Sequence, residues 1–122
     1  GLLNQPVTIN VSNGVVIVDP IERDLYDGEQ VVWICNEPAW ETRFDVVETG
    51  TPFENDRFGP GLLSEVAVPE ADSDFPQIEV PTEPSGSIRD DILGGDFAYS
   101  VEVSGFAPLS ARVKVFRGNR PR

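Results

Sequence analysis

The stretch GDFAYSVEVSGFAPLSARVKVF, Gly95 to Phe116, contains two alternating segments joined by a glycine-containing corner. One face of the first segment is wholly apolar, with Phe97, Tyr99, Val101 and Val103. In the second segment two valines alternate with Arg112 and Lys114. A period of two residues is typical of a β-strand with one buried face. The stretch therefore predicts two strands whose apolar faces lie on a core.

Similar segments recur along the chain, separated by turn residues. The chain has eleven glycines and eleven prolines, and the dipeptide Asn13-Gly14 favours a tight turn. The other predicted strands are Val7–Val11, Val15–Pro20, a strand that follows Gly28 and ends at Cys35, Arg43–Glu48 and Leu62–Pro69. About seven short strands predict an all-β fold, a β-sandwich.

The segment VVWIC, Val31 to Cys35, is apolar on both faces. Such a strand is typical of the middle of a sheet, so we expect it to be central and buried. Cys35 is the only cysteine, which excludes an intrachain disulfide. Without a neighbouring base or cation, it is interpreted as an inert core thiol.

The length of 122 residues predicts one domain, residues 1–122. No apolar run approaches 18 residues, so no membrane insertion is expected. The net charge of −12 argues against nucleic acid and anionic lipid as partners, because their phosphates would be repelled. The chain begins with Gly and lacks Met, which suggests a removed leader or tag. We therefore expect an exported protein, periplasmic or extracellular.

Two further segments stand out by composition. Residues 69–94 are rich in acids and prolines, which predicts a long loop with one short edge strand near Ile78–Val80. The acids Asp72, Asp74, Asp90 and Asp91 are weak calcium candidates, because their spacing lacks the glycine and terminal glutamate of an EF-hand. A solvated acidic loop is the preferred interpretation. The basic tail, residues 117–122, is predicted to fray; contact with the acidic face of a neighbouring copy or domain is the alternative.

Two stretches together resemble the cupredoxins, the blue-copper proteins. They are the opening stretch and VVIVDPIERDLYDGEQVVWICN, Val15 to Asn36. The resemblance implies a Greek-key β-sandwich. Cupredoxins hold copper with a His, a Cys, a second His and a Met, and these positions fall on Phe44, Val101, Ser104 and Leu109. The chain has no His and no Met, and its one Cys lies on a different strand. It is therefore interpreted as a cupredoxin-like domain without copper, without another cofactor and without electron transfer.

The resemblance also implies a location for binding. In the family, the ligand end carries an apolar patch that docks partner proteins. Trp40, Phe106 and Pro108 come from the two loops that would flank it, so they are the predicted contacts with a protein partner. The alternative is that Trp40 folds back over Phe44, which with Leu109 would fill the volume of the lost metal site.

Other functions remain open at this point. Trp40 and Tyr26 would form a stacking platform if this were a carbohydrate-binding or accessory domain of a larger exported protein. A calcium-stabilised structural domain is a third possibility. An enzyme is not predicted, because there is no histidine, no nucleophile–base arrangement and no phosphate-binding glycine loop.

Overall fold

The computed structural model describes residues 1–62 and 82–122. Within these ranges the chain is all-β, with nine strands and no helix. The strands are β1 (Leu3–Ser12), β2 (Val15–Asp19), β3 (Glu22–Leu25), β4 (Glu29–Cys35), β5 (Trp40–Phe44), β6 (Arg57–Gly61), β7 (Thr82–Pro84), β8 (Gly95–Val103) and β9 (Leu109–Val115).

The strands form two sheets, as expected for a sandwich. One has four strands in the order β2-β1-β4-β7, and the other has five in the order β3-β9-β8-β5-β6. The pairs β1–β4 and β3–β9 are parallel, and the remaining pairs are antiparallel. The all-β class and the sandwich architecture predicted from the sequence are therefore confirmed.

Strands with strict alternation were predicted well. Both strands of the opening stretch form β8 and β9, and all four apolar positions of the first are buried. The central strand is β4, which lies between β1 and β7 with Cys35 buried. The predicted segments Val7–Val11 and Val15–Pro20 correspond to β1 and β2.

The predicted strand Arg43–Glu48 is wrong at its end. Strand β5 ends at Phe44, and residues 46–49 form a turn. The carbonyl of Asp45 accepts hydrogen bonds from the N–H groups of Thr49 and Gly50, and its side chain accepts one from Glu48. These local hydrogen bonds outweigh the β-propensity of Val46 and Val47, which are left exposed.

Two short strands of the structure were not predicted from the sequence. The sequence indicated no strand at Arg57–Gly61, where β6 lies, or at Glu22–Leu25, where β3 lies. The predicted loop 69–94 contains the short strand β7 at Thr82–Pro84. The predicted strand at 78–80, and all but the first residue of the one at 62–69, lie outside the described residues.

Aromatic side chains form the centre of the core. Trp33 of β4 contacts rings from the other sheet and from the connection before β6; they belong to Phe44, Phe53, Phe58 and Tyr99. The indole N–H of Trp33 donates to the Tyr99 hydroxyl at 3.4 Å. Burial raises the pKa of Tyr99 to about 12, so this hydroxyl stays protonated at neutral pH.

The basic tail does not fray, contrary to prediction. Arg117 forms an ion pair with Asp27 at 2.9 Å, and the backbone N–H of Asp27 donates to the carbonyl of Gly118 at 3.0 Å. Arg120 binds both carboxylate oxygens of Glu29, at 2.8 and 2.9 Å. The Glu29 side chain is only 3% exposed, and a buried carboxylate requires such a partner. The tail therefore docks on its own domain.

Because of this ion pair, the free energy of unfolding should depend on pH in the acidic range. The Arg120 guanidinium holds the pKa of Glu29 below its ordinary value of 4.5. A carboxyl with a lowered folded-state pKa stabilises above its unfolded pKa, and this stabilisation is lost as the pH falls through the folded value. We expect Arg120→Gln to lower the free energy of unfolding at pH 7 by about 2 kcal/mol. The difference from wild type should shrink below pH 4.5.

Urea denaturation from pH 7 down to pH 3 would test this prediction. Arg122→Gln is the matched control, because it removes the same charge from an exposed side chain two residues away. Its effect should stay within about 0.5 kcal/mol at every pH. An equal loss for Arg120→Gln at pH 3 and pH 7 would contradict the assignment.

Candidate functional site

The four positions that the resemblance assigned to copper ligands do not converge. Phe44 and Val101 are buried in the core, and Val101 lies opposite Leu109 in the β8–β9 pair. Ser104 donates its backbone N–H to Ala39, at the other end of β5 from Phe44. Five residues of extended strand span about 16 Å, so Phe44 and Ser104 lie far apart.

Trp40 is placed in the core and does not lie in an exposed loop. It is the first residue of β5, and its side chain is 1% exposed. The backbone of Gly59 in β6 packs against it, with φ at 106°. A Cβ atom at position 59 would lie 2.8 Å from the Trp40 carbonyl oxygen and 3.1 Å from its ring. Only glycine allows this approach, and Trp40 offers no exposed side chain for the partner contact predicted for it.

The other two predicted contacts lie between β8 and β9. Phe106 is half-buried against the core, and its N–H donates to the carbonyl of Val103 at 3.0 Å. Pro108 is exposed. Of the three residues predicted to bind a partner, Pro108 alone presents its side chain freely to solvent.

The aromatic platform for a sugar is not formed. Tyr26 stacks on Phe116 with ring centroids 5.2 Å apart, and the Arg120 guanidinium lies 4.7 Å from the Tyr26 centroid. Trp40 is buried in β5, whereas Tyr26 lies in the connection between β3 and β4. The two rings therefore cannot offer one exposed surface.

The calcium candidates are only partly described. Asp72 and Asp74 lie outside the described residues. Asp90 and Asp91 are exposed, and Asp91 pairs with Arg89 at 3.2 Å. Within residues 1–62 and 82–122 no group of three or more potential ligands is suited to hold a metal ion.

Burial raises the pKa of the Cys35 thiol, which favours its protonated form.

A groove crosses the outer face of the five-stranded sheet, and the sequence did not indicate it. It consists of three adjoining cavities of about 350, 360 and 420 Å³. The first begins at Ile21 and Arg112 and shares Ala98 and Ser110 with the second. The third shares Ser100 with the second and ends at Leu62 and Pro108. We call this surface the outer groove.

Small side chains make the floor of the outer groove. Ala98 and Ser100 of β8 and Ser110 of β9 point away from the core, and Ser100 lies opposite Ser110. The turn after β5 forms a wall, where Val46 and Val47 are exposed, Val47 by 92%. The alternation predicted which residues face outward, but the wall depends on the turn that the sequence did not predict.

Charged side chains give the outer groove an acidic character. Five acidic residues line it: Glu22, Glu41, Asp45, Glu48 and Glu102. Two arginines do so, Arg43 and Arg112. Arg43 is already paired with Glu41 at 3.1 Å. Glu41 is also paired with Arg57, and Glu22 is paired with Lys114. The remaining excess of carboxylates comes from Asp45, Glu48 and Glu102, and it favours a ligand with positive charge.

Comparison with known proteins adds no relative from which to transfer a role. No family model, no curated protein and no solved structure matches the chain. In the described ranges there is no helix long and apolar enough to cross a membrane.

The placement of Trp40 leads to a stability prediction. Because its ring is fully packed, Trp40→Ala should lower the free energy of unfolding by about 3–5 kcal/mol. Pro108→Ala, at the exposed position from the same predicted patch, should change it by less than about 0.5 kcal/mol. Urea unfolding followed by circular dichroism measures both. Similar small effects for the two variants would show that Trp40 is not part of the core.

Proposed function

We propose that this chain is a metal-free, cupredoxin-like binding module whose outer groove holds an extended, basic segment of a protein partner. The observation that carries the proposal is the row of three adjoining cavities, which has a floor of small residues and more carboxylates than cations in its lining. The proposed site lies on the outer face of the five-stranded sheet. Of the three predicted partner contacts, Trp40, Phe106 and Pro108, only Pro108 lines it.

The Greek-key, cupredoxin-like type of the sandwich is part of this proposal. It is supported by pairs between strands distant in sequence, β1 with β4, β5 with β8 and β3 with β9. Successive strands change sheets after β2, β3, β4, β6 and β7, as in folds with crossing connections. The absence of His and Met from the sequence supports a role other than blue-copper electron transfer.

The shape of the groove favours a polypeptide over a carbohydrate. It crosses β9, β8 and β5, so an extended chain could lie across several strands. Sugar rings usually require an exposed aromatic face, whereas the aromatic residues of the lining, Phe44 and Tyr99, are buried. Exposed Val46 and Val47 would supply apolar contacts, and the serines and carboxylates would supply hydrogen-bond partners.

Filling the groove should abolish binding without unfolding the domain. Ser110→Trp places a large ring on the floor from an exposed position. Ser12→Trp is the matched control, because Ser12 is also exposed on a strand but belongs to the four-stranded sheet. We expect lysine- and arginine-containing peptides selected from a random library on the wild type to lose at least about tenfold in affinity, 1.4 kcal/mol, for Ser110→Trp. Ser12→Trp should bind like the wild type.

The same proteins should be tested on a glycan panel and over a range of salt concentrations. Affinity for the selected peptides should fall as salt rises, because exposed charges are screened. If the Ser110→Trp variant binds the selected peptides with unchanged affinity, the binding site lies elsewhere. A glycan whose binding is lost in Ser110→Trp, without any peptide that behaves so, would favour the carbohydrate-binding alternative.

A further inference from the structure

In the part of the chain that the structure describes, three of the four sheet edges carry features that oppose pairing with another strand. Strand β3 has charged residues at three of its four positions, Glu22–Asp24. Strand β6 contains Arg57 and Pro60, and its pairing with β5 is irregular. Strand β7 is three residues long and ends at Pro84. Short length, charge, proline and bulges are the usual protections of an exposed edge.

The fourth edge, β2, lacks these protections. Its sequence VVIVD contains four β-branched apolar residues, no proline and one charge, at Asp19. Its pairing with β1 is regular from Val15 to Asp19. Within the described part of the chain, β2 has no other backbone hydrogen-bond partner. Its outer N–H and C=O groups therefore form an open template for a further strand.

The side chains of β2 are arranged to extend the sandwich. Val16 and Val18 are buried in the core, whereas Val15 and Ile17 are 58% and 45% exposed on the outer face. An added strand that places apolar residues at the same alternation would continue both faces. The hairpin turn at Asn13-Gly14, with positive φ at both residues, joins β2 firmly to β1.

We propose that β2 pairs antiparallel with β2 of a second copy, across a two-fold axis at Ile17. In this register Ile17 lies opposite Ile17, Val16 opposite Val18, and Val15 opposite Asp19. A shift by one residue would bring core-facing positions opposite solvent-facing ones. Only registers that pair residues on the same face of the sheet are therefore allowed. The two four-stranded sheets join into one sheet of eight strands with an isologous interface.

The low charge of β2 and the position of Asp19 in the two-fold register are the reasons for choosing a second copy as the occupant. Two molecules of net charge −12 repel each other, so they can associate only where carboxylates are sparse. Strand β2 has one charge in five residues, and the two-fold register places each Asp19 opposite Val15 and away from the other Asp19. The strand is therefore complementary to itself. Salt screens the remaining repulsion, so the dimer should strengthen as salt rises, opposite to peptide binding in the outer groove.

Sedimentation equilibrium of the full chain would test the interface. We expect a monomer–dimer equilibrium whose dissociation constant falls at least tenfold between about 0.05 and 1 M salt, as the Debye length shortens. Ile17→Lys places two lysines opposite each other at the axis and should raise that constant at least tenfold. Leu93→Lys is the control, because Leu93 is 90% exposed and outside every strand, and it should dimerise like the wild type.

A mixing experiment tests the register itself. Ile17→Glu alone should also be monomeric, but an equimolar mixture of Ile17→Lys and Ile17→Glu should form a heterodimer, because opposite charges then face each other across the axis. Thermal melts verify that both variants remain folded. A wild type that stays monomeric at high protein and salt concentration would overturn the proposal. So would a dimer that survives Ile17→Lys, or single-charge variants that do not associate when mixed.

Discussion

The structure depends on one contact above all, the packing of Trp33 between the two sheets. Its ring lies 4.9 Å from the centroid of Phe58 and 5.7 Å from that of Tyr99. Trp33 belongs to the four-stranded sheet, and both partners belong to the five-stranded one. Aromatic pairs at these distances add to the free energy of burial and prefer particular ring orientations. The cluster therefore determines how the two sheets are positioned relative to each other.

The outer groove is a consequence of how β8 divides its residues between two faces. Tyr99 and Val101 fill the core, and the intervening Ser100 is left on the outside with little volume. Glu41 also lies on the outer face, yet its side chain is 6% exposed because Arg43 and Arg57 both pair with its carboxylate. A floor of small residues beside covered charges leaves room that larger outward side chains would fill.

Sequence reasoning succeeded where a residue's burial depends on its own strand and failed where it depends on distant residues. Alternation predicted β8, β9 and the buried face of β4, because successive side chains of a strand point to opposite faces of the sheet whatever the rest of the chain does. Trp40 was expected in a loop, and its burial depends on the close approach of Gly59. Strand β3 has no apolar alternation, and its position in the sheet is given by its hydrogen-bonded pairing with β9. The tail docks because Glu29, at the start of β4, needs a cation that lies 91 residues away.

Charge and topology also separate the two proposed surfaces. Ion pairs between residues that the structure describes hold six of the nine cationic side chains: Arg43, Arg57, Arg89, Lys114, Arg117 and Arg120. Few positive charges remain to balance the exposed carboxylates, so an acidic surface faces any partner. Strand β2 and the outer groove belong to different sheets, so a dimer through β2 leaves both grooves open. A partner with two basic segments of suitable spacing would then bind the dimer with avidity, because its second contact becomes intramolecular.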